Sequence, residues 1–370
     1  MNHLPLPIKL LLTCPLLLAC ADDPPVEQDD LDHEPPTDDL VGSGLPDIAK
    51  ADRHVLDPAE PKSNFMARAV LVAAPCGDLC LIDPAEGTLI DVEPARAVDV
   101  MACPHAPGEA VVSEGHEDGS GAITSLAVSD EGLERGEAMA LSVDDARLVH
   151  APSPTLALGI REGTTLFWGD EGRTVFGTTS FWTHPDQDAV DVWLLERADA
   201  GPRVLALRWE GGFRELTQAP VSTPAYACPP RLVREGPAPL IVGVHDGALV
   251  VQQSSGDVVA RRQGAAAPDA CVQDALWLEG SDVVVVLTGP FARLHTLSVD
   301  GYDLGETLVF ADVLGHDPSP RRRLAFDPGR RRLWAALAGR IEVRERSGEV
   351  GLVRVDLPAV CQAESVTLVW

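Results

Sequence analysis

Six arginines crowd into a short stretch near the C-terminal end, as Arg321-Arg322-Arg323 and Arg330-Arg331-Arg332. A guanidinium group stays charged at any ordinary pH and grips carboxylate or phosphate oxygens in pairs. Such a cluster suits an anionic glycan, a lipid headgroup or the chain's own acidic segment. The two triplets flank one apolar segment; if that segment is a strand, they sit at its opposite ends. Solvated loop charge is the competing reading. Two other clusters hold potential metal ligands. His116-Glu117-Asp118 lies between Gly115 and Gly121, but three adjacent residues seldom converge on one ion, so a solvated loop is expected. His184, Asp186, Asp188 and Asp191 offer calcium-type oxygens without a glycine for the sharp bend, and an exposed loop is expected there too. No G-x-S-x-G elbow, HExxH, P-loop, G-x-G-x-x-G or EF-hand loop occurs. No catalytic residue, metal site or cofactor is therefore assigned. A site built from single residues around a central channel would leave no spacing to read.

The elements that must position these residues repeat. Turn glycines recur at 87, 132, 172, 212, 256, 301 and 348, spaced by 40 to 47 residues. That is the length of a four-stranded propeller blade. Each glycine closes a short turn such as Asp83-Pro84-Ala85-Glu86-Gly87 or Ser254-Ser255-Gly256, where positive φ is needed and Cβ would clash. A strand precedes each turn and another follows it. Upstream lies a more apolar run, such as Ala69 to Ala73 or Val283 to Leu287, suited to a strand covered on both faces. No segment shows a capped helical period. The expectation is an all-β, seven-bladed β-propeller over residues 65–370.

The seventh repeat reads Arg323-Leu324-Ala325-Phe326-Asp327-Pro328-Gly329, then Leu333 to Leu337, then Arg340 to Arg344. It resembles the YVTN/lactonase-like (WD40-like) β-propeller repeats, in which an apolar strand ends in Asp-Pro and the next begins with Leu-Tyr/Trp. The resemblance implies fold; none of that family's catalytic residues can be matched here. The chain ends in Ser365-Val366-Thr367-Leu368-Val369-Trp370, an innermost strand in search of a blade, while the first blade starts without one. Residues 365–370 are expected to complete the blade begun at residue 67 and close the ring. This closure would bring Cys361, Cys76 and Cys80 to one face, where Cys361 could pair with Cys76 or Cys80. Of seven tryptophans, Trp277, Trp334 and Trp370 fall in or beside strands and are expected in the core.

The N-terminal end is of another kind. Lys9 precedes the apolar run Leu10 to Leu18, which is too short to span a bilayer. Leu17-Leu18-Ala19-Cys20 resembles the lipobox of bacterial lipoproteins. That resemblance implies a signal peptide over 1–19 and a diacylated Cys20 as membrane anchor; a simple cleaved signal is the alternative. Residues 21–60 hold thirteen acidic residues against Lys50 and Arg53, with six prolines, so 20–64 is expected to be an extended, disordered tether. Ala21 in place of Asp after the lipidated cysteine points, by the same resemblance, to the outer membrane, facing the periplasm or the outside. The net charge of −28 argues against nucleic acid. After Cys14 and Cys20, six cysteines remain, and export permits disulfides among them.

The expected function is a monomeric envelope lipoprotein whose propeller is a non-catalytic binding or scaffolding module with a protein or glycan partner. A lactonase-like hydrolase with a site at the channel mouth is the first alternative. A structural subunit of an envelope assembly is the second.

Overall fold

The computed structural model describes residues 66–370 apart from 75–76, 104–105, 143–145, 154–155, 162–164, 169–170, 175–179, 184–190, 199–200, 210–212, 222–225, 227, 236–237, 268, 279–280, 300–304, 315–320, 338, 348–350 and 356–362. The lipobox, the tether, Cys76 and Cys361 lie outside the described residues, as does the cluster from His184 to Asp188. Among the described residues every helix or strand is a strand, and they group into seven four-stranded antiparallel sheets.

Sheet 1 contains β1 (Ala69–Ala73), β2 (Leu79–Ile82) and β3 (Leu89–Glu93). Sheet 2 runs through β4 (Ala97–Ala102), β5 (Glu109–Gly115), β6 (Gly121–Ser129) and β7 (Gly132–Leu141). Sheet 3 follows with β8 (Arg147–Ser153), β9 (Leu156–Arg161), β10 (Thr165–Trp168) and β11 (Glu171–Thr174). In sheet 4 are β12 (Ser180–Thr183), β13 (Asp191–Ala198), β14 (Gly201–Trp209) and β15 (Phe213–Pro220). Sheet 5 has β16 (Arg231–Leu232), β17 (Ile241–His245), β18 (Ala248–Gln252) and β19 (Val258–Arg262). Sheet 6 has β20 (Cys271–Leu278), β21 (Val283–Gly289), β22 (Phe291–Ser298) and β23 (Thr307–Val313). Sheet 7 has β24 (Leu324–Asp327), β25 (Arg332–Leu337), β26 (Arg340–Ser347) and β27 (Gly351–Arg354). The fourth strand of sheet 1 comes from the far end of the chain. It is β28 (Ser365–Val369), which pairs antiparallel with β1 from Ala69↔Val369 to Ala73↔Ser365.

In each of sheets 2 to 7 the first strand lies nearest the axis; in sheet 1 that place belongs to β28. The innermost strands β4, β8, β12, β16, β20, β24 and β28 contact one another in turn, and β28 contacts β4 again. This is a propeller arrangement. Burial follows position in the sheet. The second strands β1 and β21 are buried at every residue, whereas the outer strands β3, β23 and β27 alternate toward solvent. Apolar layers between neighbouring sheets supply the core, as where Val70, Val72 and Leu368 meet Trp334 and Ala336 between sheets 1 and 7. Of the expected core tryptophans, Trp334 is fully buried, while Trp277 and Trp370 are half-buried against such layers.

The repeating turns have a local cause. Gly87 closes the β2–β3 hairpin at φ 68 and Gly256 the β18–β19 hairpin at φ 95, a backbone that any Cβ would strain. A disulfide joins Cys228, ahead of β16, to Cys271 at the start of β20, tying sheet 5 to sheet 6 over 43 residues. Cys80 is also in a disulfide, with its partner outside the described residues, and Cys103 is a buried free thiol.

Deleting residues 365–370 removes Val366, Leu368 and Val369, all buried, and opens the β1 edge. At about 1.5–3 kcal/mol for each side chain, the melting temperature should fall by about 10 °C or more, or the protein should become insoluble through the exposed strand. A melting curve unchanged by the deletion would show that β28 carries no weight.

Candidate anion site at the channel

The site starts from two aspartates within otherwise largely apolar strands, in Val98-Asp99-Val100 and Gln273-Asp274-Ala275. Each sits at a register shift in its innermost strand, between Ala97 and Asp99 in β4 and between Val272 and Asp274 in β20. A bulge turns the side chain out of the alternating pattern, here toward the next sheet. Asp99 accepts from the N–H of Val100 at 2.9 Å, from the N–H of Leu148 in β8 at 3.0 Å and from the Ser365 hydroxyl of β28 at 2.6 Å. Asp274 accepts from the N–H groups of Ala275, Arg323 and Leu324 at 2.8–2.9 Å. Both carboxylates thus satisfy peptide N–H groups of neighbouring innermost strands that no ladder partner reaches.

Asp274 also holds a guanidinium. Arg234 Nε and Nη2 donate to its two oxygens at 3.0 and 2.7 Å, and Nη2 donates to the Leu324 carbonyl at 2.6 Å. Burial pushes the Asp274 carboxyl up, but the Arg234 charge and hydrogen bond, with the N–H groups of Leu324 and Arg323, outweigh it. The net effect holds the carboxyl below its usual range. For Arg234, burial pulls the other way and Asp274 wins again, so its pKa is raised.

Around this pair stand more arginines, all from innermost strands or the residues leading into them. Arg147 begins β8 and donates to the Val98 carbonyl at 3.2 Å. Arg231 begins β16 and donates to the Val272 carbonyl at 3.2 Å. The triplet Arg321-Arg322-Arg323 leads into β24. Arg321 pairs with Glu364, and Arg323 donates to the Ala336 carbonyl at 3.4 Å. Arg322 departs from its own sheet: its Nη2 donates at 2.6 Å to the carbonyl of Val149 in β8, joining sheet 7 to sheet 3. Burial lowers the pKa of Arg231, Arg321 and Arg322 to about 10, and neighbouring arginines push each of them further down.

The six arginines singled out in the sequence therefore part company. Arg321, Arg322 and Arg323 lead into the innermost strand of sheet 7, and Arg322 reaches across to β8. Arg330, Arg331 and Arg332 sit in the turn between β24 and β25 and at the start of β25, where Arg331 adopts φ 55. There Arg330 donates to the Ala67 carbonyl and Asp327, and Arg332 to the carbonyls of Pro84 and Ala85, fastening sheet 7 to sheet 1. His116-Glu117-Asp118 forms the β5–β6 turn: Asp118 accepts from the N–H and hydroxyl of Ser120, and Glu117 pairs with Arg96. Among the described residues no group of His, Cys, Asp or Glu is placed to hold a metal. His295 is buried between the hydroxyls of Thr288 and Thr307, and burial first, then Arg262 and Arg293, takes its pKa down to about 3. It is a neutral core residue. Reading the sequence missed Asp99, Asp274, Arg147, Arg231 and Arg234. The available signal was a charge interrupting an otherwise apolar strand, twice at equivalent places in a repeat.

The chain folds as a β-propeller. Solved structures share that fold at low identity. A protein of unknown function from Desulfotomaculum acetoxidans matches with TM-score 0.57 and 10% identity over 81% of this chain and 98% of its own. A candidate 6-phosphogluconolactonase from Bacteroides fragilis matches with TM-score 0.53 and 12% identity over 84% of this chain and 100% of its own. Apo AztD from Citrobacter koseri matches with TM-score 0.51 and 10% identity over 82% and 98%. No family model and no curated protein matches the sequence.

Asp274→Ala should cost about 3–5 kcal/mol, because it strands a buried guanidinium and peptide N–H groups. The depressed carboxyl also sets a pH dependence. Its contribution is complete above the ordinary carboxylate value and is lost as pH falls through the lower folded-state value. Asp274→Asn should therefore melt earlier than the parent at pH 7, and the gap between them should narrow as the solution is acidified. An equal gap at pH 7 and pH 3 would contradict this assignment.

Proposed function

We propose that this chain is a lipid-anchored envelope protein whose channel binds a partner without transforming it. In this reading Cys20 is diacylated, residues 20–64 tether the domain to the outer membrane, and the seven sheets are the blades of a single ring completed by residues 365–370. The observation that carries the binding role is the state of the channel carboxylates. Asp99 and Asp274 are buried and taken up by backbone N–H groups, a hydroxyl and Arg234. A general base needs a free lone pair and a pKa near the working pH; Asp274 is driven the other way. What the axis offers a visitor is guanidinium, which recognises and orients anions. The partner is accordingly a protein or glycan bearing acidic groups.

Two measurements test this. Cys20→Ser should abolish labelling by radioactive palmitate and move the protein from the membrane to the soluble fraction. Affinity capture from membranes, tether intact, should retain a stoichiometric partner that an Arg321→Gln/Arg322→Gln variant loses. Catalytic hydrolysis of aldonolactones by the purified protein would instead establish the hydrolase reading and sink the non-catalytic one.

A further inference from the structure

One apolar strip of this protein is turned to water rather than to a neighbouring sheet. Val309 and Phe291 are the two most exposed large apolar side chains among the described residues, at 65% and 61%, and Val313 stands at 58%. They are neighbours. Phe291 of β22 lies opposite Val313 of β23, and Arg293 lies opposite Val309. Residues directly opposite in a ladder share a face of the sheet. Along β23 the faces alternate: Leu308 and Phe310 pack into the layer shared with sheet 7, and Val309, Ala311 and Val313 are exposed on the other side. β23 is also the outermost strand of sheet 6. Its outer edge therefore presents N–H and C=O groups that no ladder satisfies.

Such edges are commonly blunted by charges turned outward. β7, β15, β19 and β27 follow that rule with exposed Glu134, Arg214, Arg261 and Arg354. β23 does not. Its one charged residue, Asp312, turns to sheet 7, where Arg340 grips it through Nε and Nη2 at 2.7–3.2 Å. Beside it, the guanidinium groups of Arg340 and Arg344 stand over the Phe310 ring at 5.8 and 5.6 Å. The inner face of β23 is thus fastened, and its outer edge needs no ordering before it can pair. Arg293, in the middle of the strip, forms no ion pair among the described residues.

We infer that the outer edge of β23 docks an extended acidic–apolar peptide, which adds to sheet 6 as a further strand. Main-chain hydrogen bonds to the edge supply affinity, and alternate side chains supply selectivity. On the exposed face the apolar side chains of the peptide cover Phe291, Val309 and Val313, and a carboxylate meets Arg293. A second copy of β23 would bring valines but no free carboxylate, because Asp312 is committed to Arg340. A lipid surface would leave the peptide groups of the edge unpaired. The site is separate from the channel and does not rest on the role proposed for it.

The test titrates the full chain into a fluorescent, end-blocked peptide as long as β23, read by polarisation. The peptide alternates valine with threonine and carries one glutamate among its valines. Saturable binding is expected. Val309→Glu sets a like charge on the edge and should weaken binding about tenfold or more; Val313→Glu serves in its place should that variant fail to fold. Arg293→Gln should weaken the glutamate peptide about fivefold and leave its glutamine counterpart unchanged. Val353→Glu, on the exposed face of β27 in sheet 7, should change nothing. A peptide N-methylated along one edge should not bind, since it cannot complete the ladder. Absence of binding at millimolar peptide overturns the inference, as does undiminished binding of the methylated peptide or an equal loss with Val353→Glu. So does a dimer in sedimentation that Val309→Glu dissociates, which would give the edge to a second copy. Co-sedimentation of the Cys20→Ser chain with phosphatidylglycerol vesicles, abolished by adding Val309→Glu, would give the strip to lipid and overturn it likewise.

Discussion

Neighbouring sheets of this protein meet at their innermost strands, which run side by side but splay too far apart for a continuous hydrogen-bond ladder. Peptide N–H groups facing that gap would be buried without acceptors, a cost of about 1–3 kcal/mol each. Asp99 and Asp274 resolve the problem at equivalent places in sheets 2 and 6. Each sits on a bulge, each accepts the N–H of the residue that follows it, and each reaches the innermost strand of the next sheet. Asp99 reaches in both directions, through Leu148 to β8 and through Ser365 to β28. The sheets are thus stapled at the axis by carboxylates, and packed apart from it by apolar layers.

The same demand for acceptors shapes the junction of the two chain ends. Sheet 1 lacks an inner strand of its own, and β28 brings both the missing ladder and the apolar face of Val366 and Leu368. Sheet 7 then grips sheet 1 from the far end of β24, where Arg330 and Arg332 donate to backbone carbonyls of Ala67, Pro84 and Ala85. Of three arginines that look in sequence like a ligand patch, two form a clamp between first and last sheets. Polar donors suffice there because turn carbonyls at sheet ends have no strand partner.

Both carboxylates are committed to peptide groups, and for Asp274 the lowered pKa is the energetic signature of that commitment. Arg147, Arg231, Arg234 and the Arg321–Arg323 triplet lie at or beside the starts of innermost strands. A rigid scaffold of sheets fixes the spacing of these groups better than a loop would.

Much of the architecture was legible along the chain. Glycine spacing marked the hairpins, the apolar runs marked the doubly covered strands, and the strand-like C-terminal residues matched the gap at residue 67, because backbone sterics and burial leave a local, periodic trace. The apolar run Leu10 to Leu18 and the acidic, proline-rich residues 21–60 are likewise features of composition alone, and they lie outside the described residues. The channel was not legible. Its residues are single positions from different repeats, separated by 173 residues for Arg322 and Val149 and by 266 for Asp99 and Ser365, and no spacing rule connects them. Nor did the runs Arg321–Arg323 and Arg330–Arg332 disclose which would lead into an innermost strand and which would clamp a neighbouring sheet. Only the radial stacking of the sheets decides that, since it alone sets which strand ends converge.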